Sequence, residues 1–183
     1  SIAVNALPTV TANSSSLTIC DGDNIHLQAS GAISYVWNNG NIGQMITVSP
    51  TTNTTYTVVG TDGNGCENTA SVSIAVNALP TVTANSSSLT ICDGDNVQIQ
   101  GGGATSYLWS NGSVTQNDSV SPSTNTTYTV IGTDGNGCEN TASVSIAVNA
   151  LPTVTANSSS LTICDGDNIH LQASGAISYV WNN

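Results

Sequence analysis

The stretch GTDGNGCENTASVSIAVNALPTVTANSSSLTICDGDN, residues 60–96, returns letter for letter at residues 132–168. Its second part, SIAVNALPTVTANSSSLTICDGDN, also opens the chain at residues 1–24. The offset, from residue 60 to residue 132, is 72 residues. Self-similarity at a fixed period is the mark of a repeat architecture. The stretch reads as a joint: the closing strand of one unit, a short link, the opening strand of the next, and a cysteine from each. The expected organisation is the last strand of a preceding repeat at 1–6, complete repeats at 7–78 and 79–150, and a partial repeat at 151–183. On this reading the chain is a window onto a longer array. Leu-Pro at each link cannot continue a ladder and stiffens the connection, so successive units are expected to form a rod.

Working outward from the joint, the strand signals come at the spacing of an all-β sandwich. PTVTA and SLTIC open each unit, and residues 24–30 alternate with Ile25, Leu27 and Ala29 on one face. Residues 34–38 carry Tyr35 and Trp37, Asn39-Gly40 marks a tight turn, and residues 46–49 form a weaker strand. Residues 54–61 and 69–76 form the final hairpin around Asp62-Gly63-Asn64-Gly65. No segment has helical periodicity of useful length. Between repeats, Ile25 exchanges with Val97, Leu27 with Ile99 and Val36 with Leu108, which reads as apolar replacement at core positions. Met45-Ile46-Thr47 becomes Asn117-Asp118-Ser119, the expected signature of an exposed edge protected by a charge.

The chain has no Lys or Arg against 11 acidic residues, a formal charge of −11. Phosphate recognition needs cations, so nucleic acid is excluded as a partner. The basic anchors used at anionic membrane surfaces are missing too, and no apolar run of 18 residues offers membrane insertion. Charged residues are 6% of the chain, where about 25% is usual, so Ser, Thr and Asn must solvate the surface. A chain without Lys or Arg also has no site for trypsin-like proteases, which fits a long-lived extracellular protein.

The five cysteines are Cys20, Cys66, Cys92, Cys138 and Cys164. Their spacing within a repeat gives Cys20–Cys66 and Cys92–Cys138 as the expected disulfides, with the partner of Cys164 outside the chain. No zinc-type spacing occurs, and disulfides imply an oxidising compartment. A 72-residue unit is marginal on core burial alone, and a disulfide closing a loop of this size contributes about 4 kcal/mol in the chain-entropy model.

Most acidic residues flank the cysteines. If the cysteines pair within a unit, Asp21, Asp23, Asp62 and Glu67 are drawn together, as are Asp93, Asp95, Asp134 and Glu139. Two readings stand at these carboxylates: a calcium site, since Ca²⁺ takes six to eight oxygen ligands, or turns in which Asp and Asn bond their own backbone. No cofactor is otherwise expected. Catalytic sets fail on inventory: His26 and His170 have Gln98 as their counterpart, and phosphate chemistry lacks its cations. The chain does not read as an enzyme.

The pattern IC-x-G-x-N-I-x-L-x-A-x-G, then Y-x-W-x-N-G, then SP-x-TNTTYTV-x-GTDGNGC, then SVSIAVN resembles the Ig-like/PKD-like tandem repeats of giant secreted surface proteins of Bacteroidota. These include gliding-motility adhesins and other cargo of type IX secretion. The resemblance implies small seven-stranded sandwiches arrayed as stalks or filaments, a role in cell adhesion, and location at the cell surface or in the secreted fraction. It also implies core tryptophans at Trp37, Trp109 and Trp181, and Tyr56 and Tyr128 near a strand corner. The chain departs from PKD domains proper at Trp37-Asn38-Asn39-Gly40, where they carry W-D-F-G-D-G. The expected function is a mechanical spacer whose partners are neighbouring repeats of the same chain, with lateral self-association into filaments open. The alternative is a glycan- or ice-binding module, which needs Trp37 and the TNTTYT face exposed and flat.

Overall fold

In the computed structural model, which describes residues 2 and 4–182, the chain is all β. The first unit contains β1 (Thr11–Ser14), β2 (Thr18–Cys20), β3 (Ile25–Ser30), β4 (Ser34–Trp37), β5 (Met45–Val48), β6 (Thr54–Thr61) and β7 (Glu67–Asn77). The second contains β8 (Thr83–Ser86), β9 (Thr90–Cys92), β10 (Val97–Gly102), β11 (Ser106–Trp109), β12 (Asn117–Val120), β13 (Thr126–Thr133) and β14 (Glu139–Asn149). Two further strands follow, β15 (Thr155–Ser158) and β16 (Leu171–Ser174).

Each complete unit is a sandwich of the immunoglobulin kind, with a three-stranded sheet, β1-β3-β5, facing a four-stranded one, β2-β7-β6-β4. The opening segment is shared between sheets: β1 pairs antiparallel with β3, while β2 pairs parallel with β7. Strict alternation then turns one face of every strand inward. Ile25, Leu27 and Ala29 of β3 meet Tyr35, Trp37, Tyr56, Val58, Val72 and Ile74 of the other sheet. The second unit has its own core, built on Val97, Ile99, Trp109, Tyr128, Val130, Val144 and Ile146.

Alternation corrects two expectations. Because Tyr35 and Trp37 point inward, Val36 points out; it and Leu108 are about half exposed, at 51% and 48%, and are not core positions. Conversely, Ile46 lies in the core although β5 is an edge strand. Its counterpart Asp118 therefore occupies an inward register on β12, opposite Ile99. The carboxylate stays satisfied there by taking a hydrogen bond from Asn111 Nδ2 at 2.7 Å. A charge aimed inward from an edge strand is one way to block sheet-to-sheet pairing.

In the 1–6 segment, Ser1 and Ala3 lie outside the described residues, and the remainder takes no strand. In the complete units the equivalent residues pair with β6 or β13 and with β2 or β9, partners for which segment 1–6 has no counterpart in this sequence.

Candidate functional site

The site is the joint between the two complete units, and β7 determines its layout. This strand has 11 residues and runs the length of the unit, from Glu67 to Asn77. Parallel pairing of β2 sets Cys20 beside Asn77, and the Asp21 N–H donates to the Asn77 carbonyl at 2.9 Å. Cys20 thus lies where the chain leaves the unit. Cys66 lies at the other end, just before β7. At roughly 3.3 Å per residue the two ends are about 36 Å apart, whereas a disulfide needs Cα atoms about 4.4–6.8 Å apart. The expected Cys20–Cys66 bond is therefore excluded by the length of a strand. The same holds for Cys92 and Cys138 at opposite ends of β14.

Instead, Cys20 of the first unit bonds Cys138 of the second, with Cα atoms 5.6 Å apart. The bridge crosses the joint. Cys66, Cys92 and Cys164 are free thiols.

Both halves of the bridge are held by their own turns. Cys138 ends the loop Asp134-Gly135-Asn136-Gly137, where the Asp134 carboxylate accepts N–H bonds from Asn136 and Cys138 at 2.8 and 2.9 Å. Gly137 closes the turn at φ +83°, a conformation that favours glycine. The Cys138 N–H above all, followed by smaller contributions from Asn136 and Gly137, holds the Asp134 carboxyl below the usual aspartate range against a smaller desolvation effect. Asp62 is lowered in the same way, chiefly by the Cys66 N–H. On the other half, the Cys20 N–H donates to Asp23 Oδ2 at 3.2 Å, and the Asp23 N–H returns to the Cys20 carbonyl at 3.1 Å.

The link itself has little freedom. Asn77 is held by β2, and the carbonyl of the buried Pro80 accepts from Asn140 Nδ2 at 3.0 Å. Just beyond, a Cβ on Gly103 would stand 1.8 Å from the Thr81 carbonyl oxygen, so the turn after β10 clasps the link closely. Only Ala78 and Leu79 lie between the two anchors, and Leu79 shares a cleft with Cys20, Asp23, Gly137 and Glu139.

The carboxylates expected to converge are parted by the same strand length. Asp21 and Asp23 sit at the exit end of the unit, Asp62 and Glu67 at the entry end; Asp93 and Asp95 are likewise separated from Asp134 and Glu139. Among the described residues no group of three or more His, Cys, Asp or Glu side chains is placed to hold a metal. The intra-unit calcium grouping loses its premise with the intra-unit disulfide, while Asp23, Asp62, Asp95 and Asp134 bond the backbone of their own turns.

Trp37 and Trp109 are each 1% exposed, and their indole N–H groups donate to the carbonyls of Gly43 and Thr115. Tyr56 and Tyr128 are buried beside them. No tryptophan face in the complete units is open for a sugar to stack on. His26 stands outward and bonds Thr47 Oγ1 at 2.9 Å.

No protein-family model matches the chain, and no characterised protein sequence matches it. Solved structures similar to it include a Ca²⁺-stabilised, ice-binding adhesin of an Antarctic bacterium, 18% identical over 83% of this chain and 52% of that one, with a TM-score of 0.40. A second bacterial ice-binding adhesin is 15% identical over 84% of this chain and 70% of the other, with a TM-score of 0.37. Murine CEACAM1b is 12% identical over 76% of this chain and all of its own, with a TM-score of 0.35. Likenesses at this level do not bear on function.

Proposed function

We propose that this chain is a force-carrying segment of an extracellular shaft, a stalk or fibre of a bacterial surface adhesin that holds other parts away from the cell. The observation that carries the reading is the Cys20–Cys138 bridge. Pulled at its ends, the oxidised chain transmits tension through residues 1–20, across the bridge, and on through residues 138–183. Residues 21–137, with strands β3 to β13, lie off that path and cannot be drawn out.

The strands on the path suit the task. β1 and β2 run from the entry end of the first unit to its exit, and beyond the bridge β14 runs the length of the second unit with 11 residues. The composition fits exposure outside the cell: a disulfide persists in oxidising surroundings, and the chain has no Lys or Arg for trypsin-like cleavage. No catalysis or nucleic-acid binding belongs to this role.

Single-molecule pulling on the chain tests it. Under oxidising conditions residues 21–137 stay closed; after reduction they add about 400 Å of contour at roughly 3.4 Å per residue. Unfolding steps of equal length with and without reductant would contradict the proposal.

A further inference from the structure

We infer that the bridge is one rung of a series, in which the first cysteine of every unit bonds the second cysteine of the unit that follows. Cys92 and Cys66 are then half-built staples whose partners are cysteines of further copies of this repeat. The inference rests on the shaft reading insofar as it requires tandem copies. It adds the identity of the partner at each thiol.

The observation behind it is that both halves of the bonded site recur, with the same geometry, at the free thiols. Cys20 pairs in register with Asn77 and Cys92 with Asn149; the N–H of the next residue donates to that asparagine's carbonyl at 2.9 Å in both. The Cys20 and Cys92 N–H groups donate to matching acceptors, Asp23 Oδ2 and Asp95 Oδ2, at 3.2 and 3.1 Å. On the other half, Cys66 is held by Asp62 at 2.8 Å as Cys138 is held by Asp134 at 2.9 Å. Position for position, Cys92 has the setting of bonded Cys20, and Cys66 that of bonded Cys138. A partner that presents the missing half in the same setting is another copy of this unit.

The chemistry is thiol–disulfide exchange with a small-molecule disulfide such as oxidised glutathione. The Cys92 thiolate attacks it and releases one glutathione thiolate. The incoming unit's cysteine thiolate then attacks the Cys92 sulfur of the mixed disulfide and releases the second. Two protein thiols lose two electrons and two protons, and one glutathione disulfide becomes two thiols.

The mechanical consequence is continuous. From Cys138 the chain runs down β14, through Leu151-Pro152, and along the opening segment of the next unit to Cys164, where the next staple would begin. A shaft built this way is a covalent cable of near-extended strands and disulfides, with the middle strands of each unit hung beside it.

The test extends the chain beyond Asn183 by a copy of residues 40–78, which completes the third unit and adds one cysteine. The protein is refolded in a glutathione redox buffer, alkylated without reduction, and mapped after cleavage at acidic residues. The present chain exposes three thiols; the extended one should expose two, Cys66 and Cys164, with Cys92 linked to the added cysteine. Four free thiols would show that the bridge is peculiar to the first joint, and none would show pairing within units; either overturns the inference. Covalent dimers through Cys92 would overturn it as well. Pulling on the shorter chain reads the first joint and the thiol count reads the second, so either proposal can fail alone.

Discussion

Residues 1–39 and 145–183 are the same sequence in two settings. In the first, Ile25, Leu27 and Trp37 are 2%, 0% and 1% exposed. In the second, Leu171 and Trp181, the equivalents of Leu27 and Trp37, are 55% and 49% exposed. β2 and β4 have no counterparts at residues 162–164 and 178–181, whereas β15 and β16 reproduce the pairing of β1 with β3, residue for residue. The strands that persist are those that pair with each other. Those that vanish correspond to strands that pair with β7 and β6 in the first unit, and residues 151–183 hold no counterpart of that hairpin.

Local devices survive the loss of the core. The Tyr179 hydroxyl still donates to the Ala176 carbonyl as Tyr35 does to Ala32, and the Cys164 N–H still donates to Asp167 as Cys20 does to Asp23. Turn chemistry is therefore written in short segments, while strand existence depends on a distant hairpin. β-Propensity measures fit to a half-buried, paired surface more than an intrinsic backbone preference.

The largest change that would sharpen this contrast is completion of the third unit. Appending the missing hairpin should bury Trp181, shift its fluorescence to shorter wavelength, and add a cooperative unfolding transition; a Trp181 that remains wet would break the comparison. Next, one leucine can be truncated in both settings. Leu27→Ala should cost the first unit about 2–5 kcal/mol by denaturant unfolding, the range for emptied core sites. Leu171→Ala, on an open face, should stay within about 0.5 kcal/mol. Equal costs would mean that burial does not distinguish the two copies.

A smaller effect is expected at the clasp on the link. Gly31, Gly103 and Gly175 all have positive φ, and a Cβ on each would stand 1.8 Å from a carbonyl oxygen of Thr9, Thr81 or Thr153. Gly103→Ala should lower the stability of the second unit by more than about 1 kcal/mol, and a neutral result would show that the link is not held closely.

The smallest effect is acid loosening of the Cys138 loop. Asp134 is lowered in the folded state, so its contribution is complete above the ordinary aspartate value of about 3.9 and is lost as pH falls through the lower folded value. The Cys138 amide shift should titrate below that ordinary value, and Asp134→Asn should abolish the titration.

Much of the fold was legible because alternation is local. Residues 25–30 and 54–61, and the Asp-Gly-Asn-Gly turn, stand where their pattern puts them. Val36 was misread against the same rule, since a residue between two inward aromatics must face out. Ile46 was missed because its counterpart Asp118 argued for exposure, yet an edge strand still has an inner face. The disulfide was the deepest miss. Identical repeats make a 46-residue spacing within a unit and the observed separation of 118 equally regular. The usable signal was the long closing strand after Cys66, which carries the chain away from it. What no local pattern shows is the parallel pairing of β2 with β7, which brings Cys20 to the far end.

A peptide map of the 183-residue chain, alkylated without reduction and cleaved at acidic residues, tests the joint most directly. The expected product links the peptide holding Cys20 to the one holding Cys138, with Cys66 and Cys92 alkylated. Peptides linking Cys20 to Cys66, or Cys92 to Cys138, would contradict it.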